Sequence, residues 1–205
     1  MSNALSRGKK KMRPLGYSKQ ELVSMQNYAK RKGNADSLIE ESYFNIRLIT
    51  YQILHDKFGF GLKRINRVEQ VISKYLEDAG SGTLSTEELE HYLYMESGIS
   101  ARQEANKVPF RERFSLVERK VAPASMQAAG DFLLVSIYTH FALLGVCLKT
   151  KFKFSKRQIS EVYGWIRYYI NSLATGYETM LGVASVLACE CKYYDPRFIG
   201  KTYEV

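Results

Sequence analysis

Apolar residues recur at three- and four-residue spacing along much of this chain, the mark of helices with one buried face. Ile65, Val68, Ile72, Tyr75 and Leu76 form one stripe; Ile159, Val162, Trp165, Ile166, Tyr169 and Ile170 form another. Glycines close each stripe. "STEE" at 85–88 then reads as a capping box, in which the Ser85 hydroxyl accepts an orphan amide hydrogen bond while Glu88 reaches back. The run "DFLLVSIYTHFALLGVCLKT" is interrupted by Ser136, Thr139 and His140, and is expected as a buried helix rather than a membrane span.

The two stripes are related. Lys57, Phe58 and Phe60 match Lys151, Phe152 and Phe154 at an offset of 94. The same offset aligns Leu54 with Leu148, Ile65 with Ile159, Val68 with Val162, Ile72 with Ile166 and Tyr75 with Tyr169. Further on, Gly82 meets Gly176 and Ser85 meets Thr179. An ungapped match through three expected helices rarely arises from apolar composition alone, and it defines two copies of one unit, over 40–99 and 134–193. Each copy reads helix, extended connector, helix, tight loop, helix. In a connector of period two, Phe58 and Phe60 face one way as core anchors, and Gly59 can become Lys153 because that position faces solvent. Thr179 is the weaker cap, since Gly182 stands where Glu88 does.

The fold class expected is all-α: two related helix–connector–helix–loop–helix units packed as a single pseudo-symmetric helical domain over 17–205. Residues 1–16 are expected as a basic, flexible arm, whose opening "MSNA" has the look of a vector-derived remnant and is set aside. Pro109 and Pro123 break the charged segment between the copies, so it is expected to cross both units with short helices at most. "DPRFIGKTYEV" is expected as a C-terminal tail.

Composition adds a core and a charge. With 45% hydrophobic residues the 205-residue chain can bury a sizeable interior, and its net charge of +9 favours phosphate or an acidic protein surface. "KTKFKFSKR" holds Lys149, Lys151, Lys153, Lys156 and Arg157, the first three expected on one side of an extended segment, opposite Phe152 and Phe154. The arm adds Arg7, Lys9, Lys10, Lys11 and Arg13. These ten residues are the expected nucleic-acid contacts, with DNA or RNA as the partner. The first copy offers Lys57, Lys63, Arg64 and Arg67 in a matching place. The alternatives are a solvated face with a solubilising tail, or a module that binds or inhibits a host protein. Tyr163 and Tyr168 fall off the main stripe, as an exposed interface patch or as the second buried face of a helix wedged between the units; the second is preferred.

No reaction is indicated. P-loop, nucleophile-elbow, zinc-protease and dinucleotide motifs do not occur, so the chain is expected to be non-enzymatic, without a cofactor. Glu77 to Glu88 approaches the spacing of a calcium loop, but Ala79 and Ser81 stand where ligands are wanted. His55 and Asp56 could form an acid–base pair, but adjacent residues are read as pointing to different sides and no nucleophile is implied; no metal ligands are assigned. Cys147, Cys189 and Cys191 are expected as thiols in a reducing cytoplasm.

"ILHDKFGFGLKR", followed by "LEDAGSGTLSTEELEHYL", resembles small proteins encoded by phages and prophages of Gram-positive bacteria, which carry one such unit after a basic N-terminal segment. The resemblance covers residues 40–99 and is most specific in HDKFGFG; the second copy departs from it, with Lys149 and Thr150 in place of His55 and Asp56. It implies an accessory protein of a mobile element acting in the bacterial cytoplasm. That family has no assigned activity, so no functional residues carry over.

Overall fold

The computed structural model describes residues 19–118, 121 and 125–201, with side chains described from residue 35 onward. Its contacts group the chain into two compact units, residues 1–36 and 37–205. The described part of the first unit is helical from residue 19. The arm over 1–16, with Arg7, Lys9, Lys10, Lys11 and Arg13, lies outside the described residues.

Helices α1 (Lys19–Phe58), α2 (Leu62–Gly80), α3 (Thr86–Ser97), α4 (Ala101–Asn106), α5 (Met126–Phe152), α6 (Lys156–Thr175) and α7 (Met180–Cys191) follow one another, with 3-10 turns at Glu112–Leu116 and Pro196–Phe198. No strand occurs among the described residues, and the fold is all-α. The boundaries keep the offset of 94: Phe58 and Phe152 end α1 and α5, Leu62 and Lys156 begin α2 and α6, and α3 and α7 start and stop at matching positions.

Most of each expected stripe is buried, but Tyr75 and Trp165 are half-buried and Leu76 is 36% exposed. Ile65, Val68 and Ile72 of α2, and Ile159, Val162, Ile166 and Ile170 of α6, have almost no exposure. The central helix is α5, whose buried residues include Leu133, Ile137, Phe141, Leu144 and Leu148 and which packs against α2, α3, α4 and α6. Among the described residues it is the one helix long and apolar enough to cross a membrane, with a mean hydropathy of 1.8, but 67% of that apolar window is buried within the protein.

The links after α1 and α5 differ from the expected extended connectors. Lys149 and Lys151 are still helical, and the chain leaves the helix in one left-handed step, at Gly59 (φ 62°) and at Lys153 (φ 58°). Phe60 N–H then donates back to Leu54 O at 2.9 Å and Phe154 N–H to Leu148 O at 3.1 Å, the six-residue return that closes a helix end. The aromatic spacing of two therefore comes from a helix terminus, not from a strand. The prediction that Phe60 and Phe154 are anchors holds: both are buried, and Phe58 and Phe152 pack against the same core.

Caps form where the sequence places them. Ser85 and Glu88 make the reciprocal box, with Ser85 N–H donating to Glu88 Oε2 at 2.7 Å and Glu88 N–H to Ser85 Oγ at 3.1 Å. Thr179 accepts from Gly182 N–H at 3.0 Å without a return bond from a side chain. A second box, Ser155 with Gln158, opens α6 at "SKRQ", where the sequence suggests the end of a connector.

The crossing segment between the expected copies contains α4 and the turn at Glu112–Leu116, and reaches both halves. Ser115 Oγ donates to Ile170 O at 3.0 Å, and Leu116 O accepts from Asn45 Nδ2 at 3.0 Å. The described part of the expected tail, residues 195–201, is instead docked at its start. Phe198 is buried, Arg197 pairs with Asp195 at 2.9 Å, and Arg197 Nη1 donates to Asn45 Oδ1 at 3.0 Å. The tyrosines divide: Tyr163 is fully buried, while Tyr168 is 59% exposed.

Candidate functional site

The two links lie side by side. Phe58 sits on Phe154 with ring centroids 5.1 Å apart, and Phe60 sits on Phe152 at 5.0 Å. This reciprocal pairing draws basic residues from both halves to one end of the core. Arg64 covers the Phe60 ring at 4.6 Å, and Arg67 approaches the Phe152 ring at 5.8 Å. Arg64 also donates to the Gly59 carbonyl. Such cation–π contacts hold a guanidinium over an apolar surface while its edge stays available to an anion.

The five basic residues of "KTKFKFSKR" do not share one row. Successive helical residues advance by about 100°, so Lys149 and Lys151 point to different flanks of α5. Lys149 and Lys153 face α3, where with Tyr92, Glu96 and Thr150 they line a cleft of about 290 Å³. Lys151 is exposed on another flank of α5. Burial pushes the Cys147 thiol up to about 12, and Lys151 and Arg67 both pull it back, which places both charges near that sulfur. Lys156 turns toward the C-terminal end of α3, its Nζ 3.1 Å from where a Cβ on Gly98 would stand. Lys151, Lys153, Lys156 and Arg157 are exposed, and Lys149 is half-buried.

Two features are not legible in residue spacing. Tyr92, 42% exposed, stands beside Lys149 and Lys153 and gives the cleft an aromatic wall. Nothing in the spacing of α3 distinguishes it from Tyr94, 56% exposed on the same helix. The second feature is a convergence of His55, Asp56 and Glu190, whose ligand-type atoms lie within 4.8 Å of one another. His55 and Asp56 do not point to different sides, because neighbours on a helix diverge by about 100° rather than 180°. Burial alone would lower the His55 pKa, but the Phe60 carbonyl, then Glu190 and Asp56, raise it on balance.

The remaining candidates are structural. Glu88 is occupied by its cap, which lowers its pKa through the Ser85 backbone bond. His91 is exposed on α3. His140 is fully buried; its Nε2 is 2.8 Å from Thr50 Oγ1, whose own proton goes to Ile46 O at 2.8 Å. The ring must therefore donate from Nε2, and burial lowers its pKa to about 3. Burial also raises the Cys191 thiol to about 11, so it stays protonated and inert.

No family model, curated protein or solved structure matches this chain.

Proposed function

We propose that this chain is a non-enzymatic accessory protein of a mobile element that holds nucleic acid on the basic surface around its paired phenylalanine links. The observation that carries the reading is the reciprocal ring pairing, which holds Arg64 over Phe60 and Arg67 over Phe152, the residue between Lys151 and Lys153 in the chain. Lys149, Lys156 and Arg157 extend the surface around the start of α6. Side chains of this kind contact phosphate oxygens without reading sequence. Tyr92, exposed between the cleft lysines, supplies a face on which an unpaired base can stack, which favours single strands over duplex.

Fluorescence anisotropy with labelled single-stranded and duplex DNA and RNA, across a salt series, tests this. Micromolar or tighter binding that falls steeply with salt supports phosphate contact. Absence of binding at low salt removes the reading.

A second reading, a host-protein interaction module, is favoured by the aromatic and thioether side chains that stay in solvent. Tyr94 and Met95 of α3 are 56% and 69% exposed, and Tyr177 is 89% exposed. Tyrosine and methionine are enriched where proteins meet. A stoichiometric protein complex that survives high salt would support this reading over the first.

A further inference from the structure

His55 and Asp56 lie near the C-terminal end of α1, and Glu190 lies near that of α7. Helix C-termini carry partial negative charge, so two such ends meeting already favour a cation between them. The side chains add to this. His55 Nδ1 stands 2.9 Å from the Phe60 carbonyl oxygen, which can only accept, so Nδ1 carries a proton. The other nitrogen, Nε2, then turns toward Glu190 Oε2 at 3.0 Å, with Asp56 completing the group. An imidazole lone pair facing two carboxylates is a set of acceptors without a donor. Either a proton on Nε2 or a metal ion completes it.

The internal correspondence supplies an independent observation. At the offset of 94, the places of His55, Asp56 and Glu190 correspond to Lys149, Thr150 and Glu96. Lys149, Thr150 and Glu96 line one cleft, so the equivalent acidic position in the other half shares its cleft with an ammonium. Where the second half carries its own cation, the first carries an imidazole and an extra carboxylate. That exchange turns a place holding a cation into one that can bind one.

We propose that His55 Nε2, Asp56 and Glu190 form a three-ligand surface site for a divalent transition metal, with Zn²⁺ as the ion its chemistry suits best. One imidazole and two carboxylates leave a fourth position for water or an incoming ligand. Zinc bonds of about 2.0–2.2 Å put tetrahedral ligand atoms about 3.4 Å apart, within reach of the present spacing by rotation of two exposed carboxylates. The hydrogen bond from His55 Nδ1 to Phe60 is the outer-shell contact that orients a metal-binding imidazole. Tyr169 plays the corresponding part for Asp56, its hydroxyl donating to Oδ2 at 3.3 Å. A bound ion would clip the end of α1 to the end of α7.

The test is calorimetric titration of the full chain with Zn²⁺ in a non-chelating buffer near neutral pH, paired with visible absorption on Co²⁺ substitution. Two variants accompany the wild type: His55→Lys, which installs the residue of the second half, and the solvent-exposed Glu190→Gln. The expected result is one equivalent bound, a cobalt d–d band, and a loss of affinity of at least about tenfold in each variant. The thermal midpoint of the wild type should rise with Zn²⁺ while that of Glu190→Gln does not. Binding equally strong in both variants would assign the metal to other groups and overturn the site. No saturable binding by the folded wild type would reduce the cluster to a His55–Glu190 ion pair.

Discussion

The ring of Phe60 rests on that of Phe152, centroids 5.0 Å apart, and Phe58 meets Phe154 in the reciprocal arrangement at 5.1 Å. The first phenylalanine of each link touches the second of the other. Phe60→Ala should cost about 3–5 kcal/mol, because a 2%-exposed ring leaves a cavity bounded by both halves. Urea unfolding measures this. A cost below about 1 kcal/mol would mean that the links do not join the halves.

Gly145 is a point of close approach in the core. A Cβ there would stand 2.2 Å from the Tyr163 hydroxyl and 2.6 Å from Leu93 Cδ2. The Tyr163 ring is held in place by stacking on Phe141 at 4.4 Å and by its hydroxyl donating to Phe141 O at 2.6 Å. Gly145→Ala should therefore destabilise by about 1–3 kcal/mol. Combined with Tyr163→Phe, which removes the nearer clashing atom, the double variant should lose less than the two single losses summed. Strict additivity in a double-mutant cycle would contradict this geometry.

Lys153 sits at φ 58° in a position that its counterpart fills with Gly59. Lys153→Gly should raise stability by roughly 1 kcal/mol, since the left-handed region penalises a side chain. The same change removes a cation from the cleft and should weaken nucleic-acid binding. Thermal denaturation and anisotropy on one preparation read both effects. A variant that gains no stability would refute the strain, and unchanged affinity would exclude Lys153 from the nucleic-acid surface.

Charge neutralisation tests the interface more broadly. Lys149, Lys151 and Arg157 changed together to Gln should flatten the slope of log K against log salt. The change should be about 0.7 for each phosphate no longer neutralised on a single strand and about 0.9 on a duplex. Affinity should fall for all sequences alike. An unaltered slope would move the binding surface elsewhere, beginning with Arg7, Lys9, Lys10, Lys11 and Arg13.

His140 makes stability depend on pH. Folded, its pKa is about 3, first through burial and then through the Arg47 charge, against 6.5 when exposed. Below 6.5 the unfolded chain takes up a proton that the folded chain refuses, so this contribution is intact above 6.5 and is lost as pH falls toward 3. The slope is at most about 1.4 kcal/mol per pH unit. A second proton would sit on Nδ1, which finds no partner among the described residues. The faces around the ring hold Thr50, the Tyr43 ring at 5.5 Å and Arg47, none of which can compensate it. Denaturation at pH 7.5, 6 and 5 should show the slope in the wild type and a shallower one in His140→Leu; equal slopes would count against the neutral assignment.

Much of the helical architecture was legible in the chain itself, because helix periodicity and caps are local patterns. The stripes on α2 and α6, the Ser85–Glu88 box, the Thr179 cap and the anchoring role of Phe60 and Phe154 all follow from residue spacing alone. What lay beyond the sequence was the path of the links and what they join. Phenylalanines two apart suit a strand and a left-handed helix end equally, and only the return bonds to Leu54 and Leu148 decide for the helix end. That decision turns Lys149 away from Lys151 and places Lys149 in a cleft with Tyr92 and Glu96. Glu190, 134 and 135 positions from Asp56 and His55, meets them because packing joins the ends of α1 and α7. Spacing along a chain encodes which face a residue occupies; which distant residue it meets is set by how the faces pack.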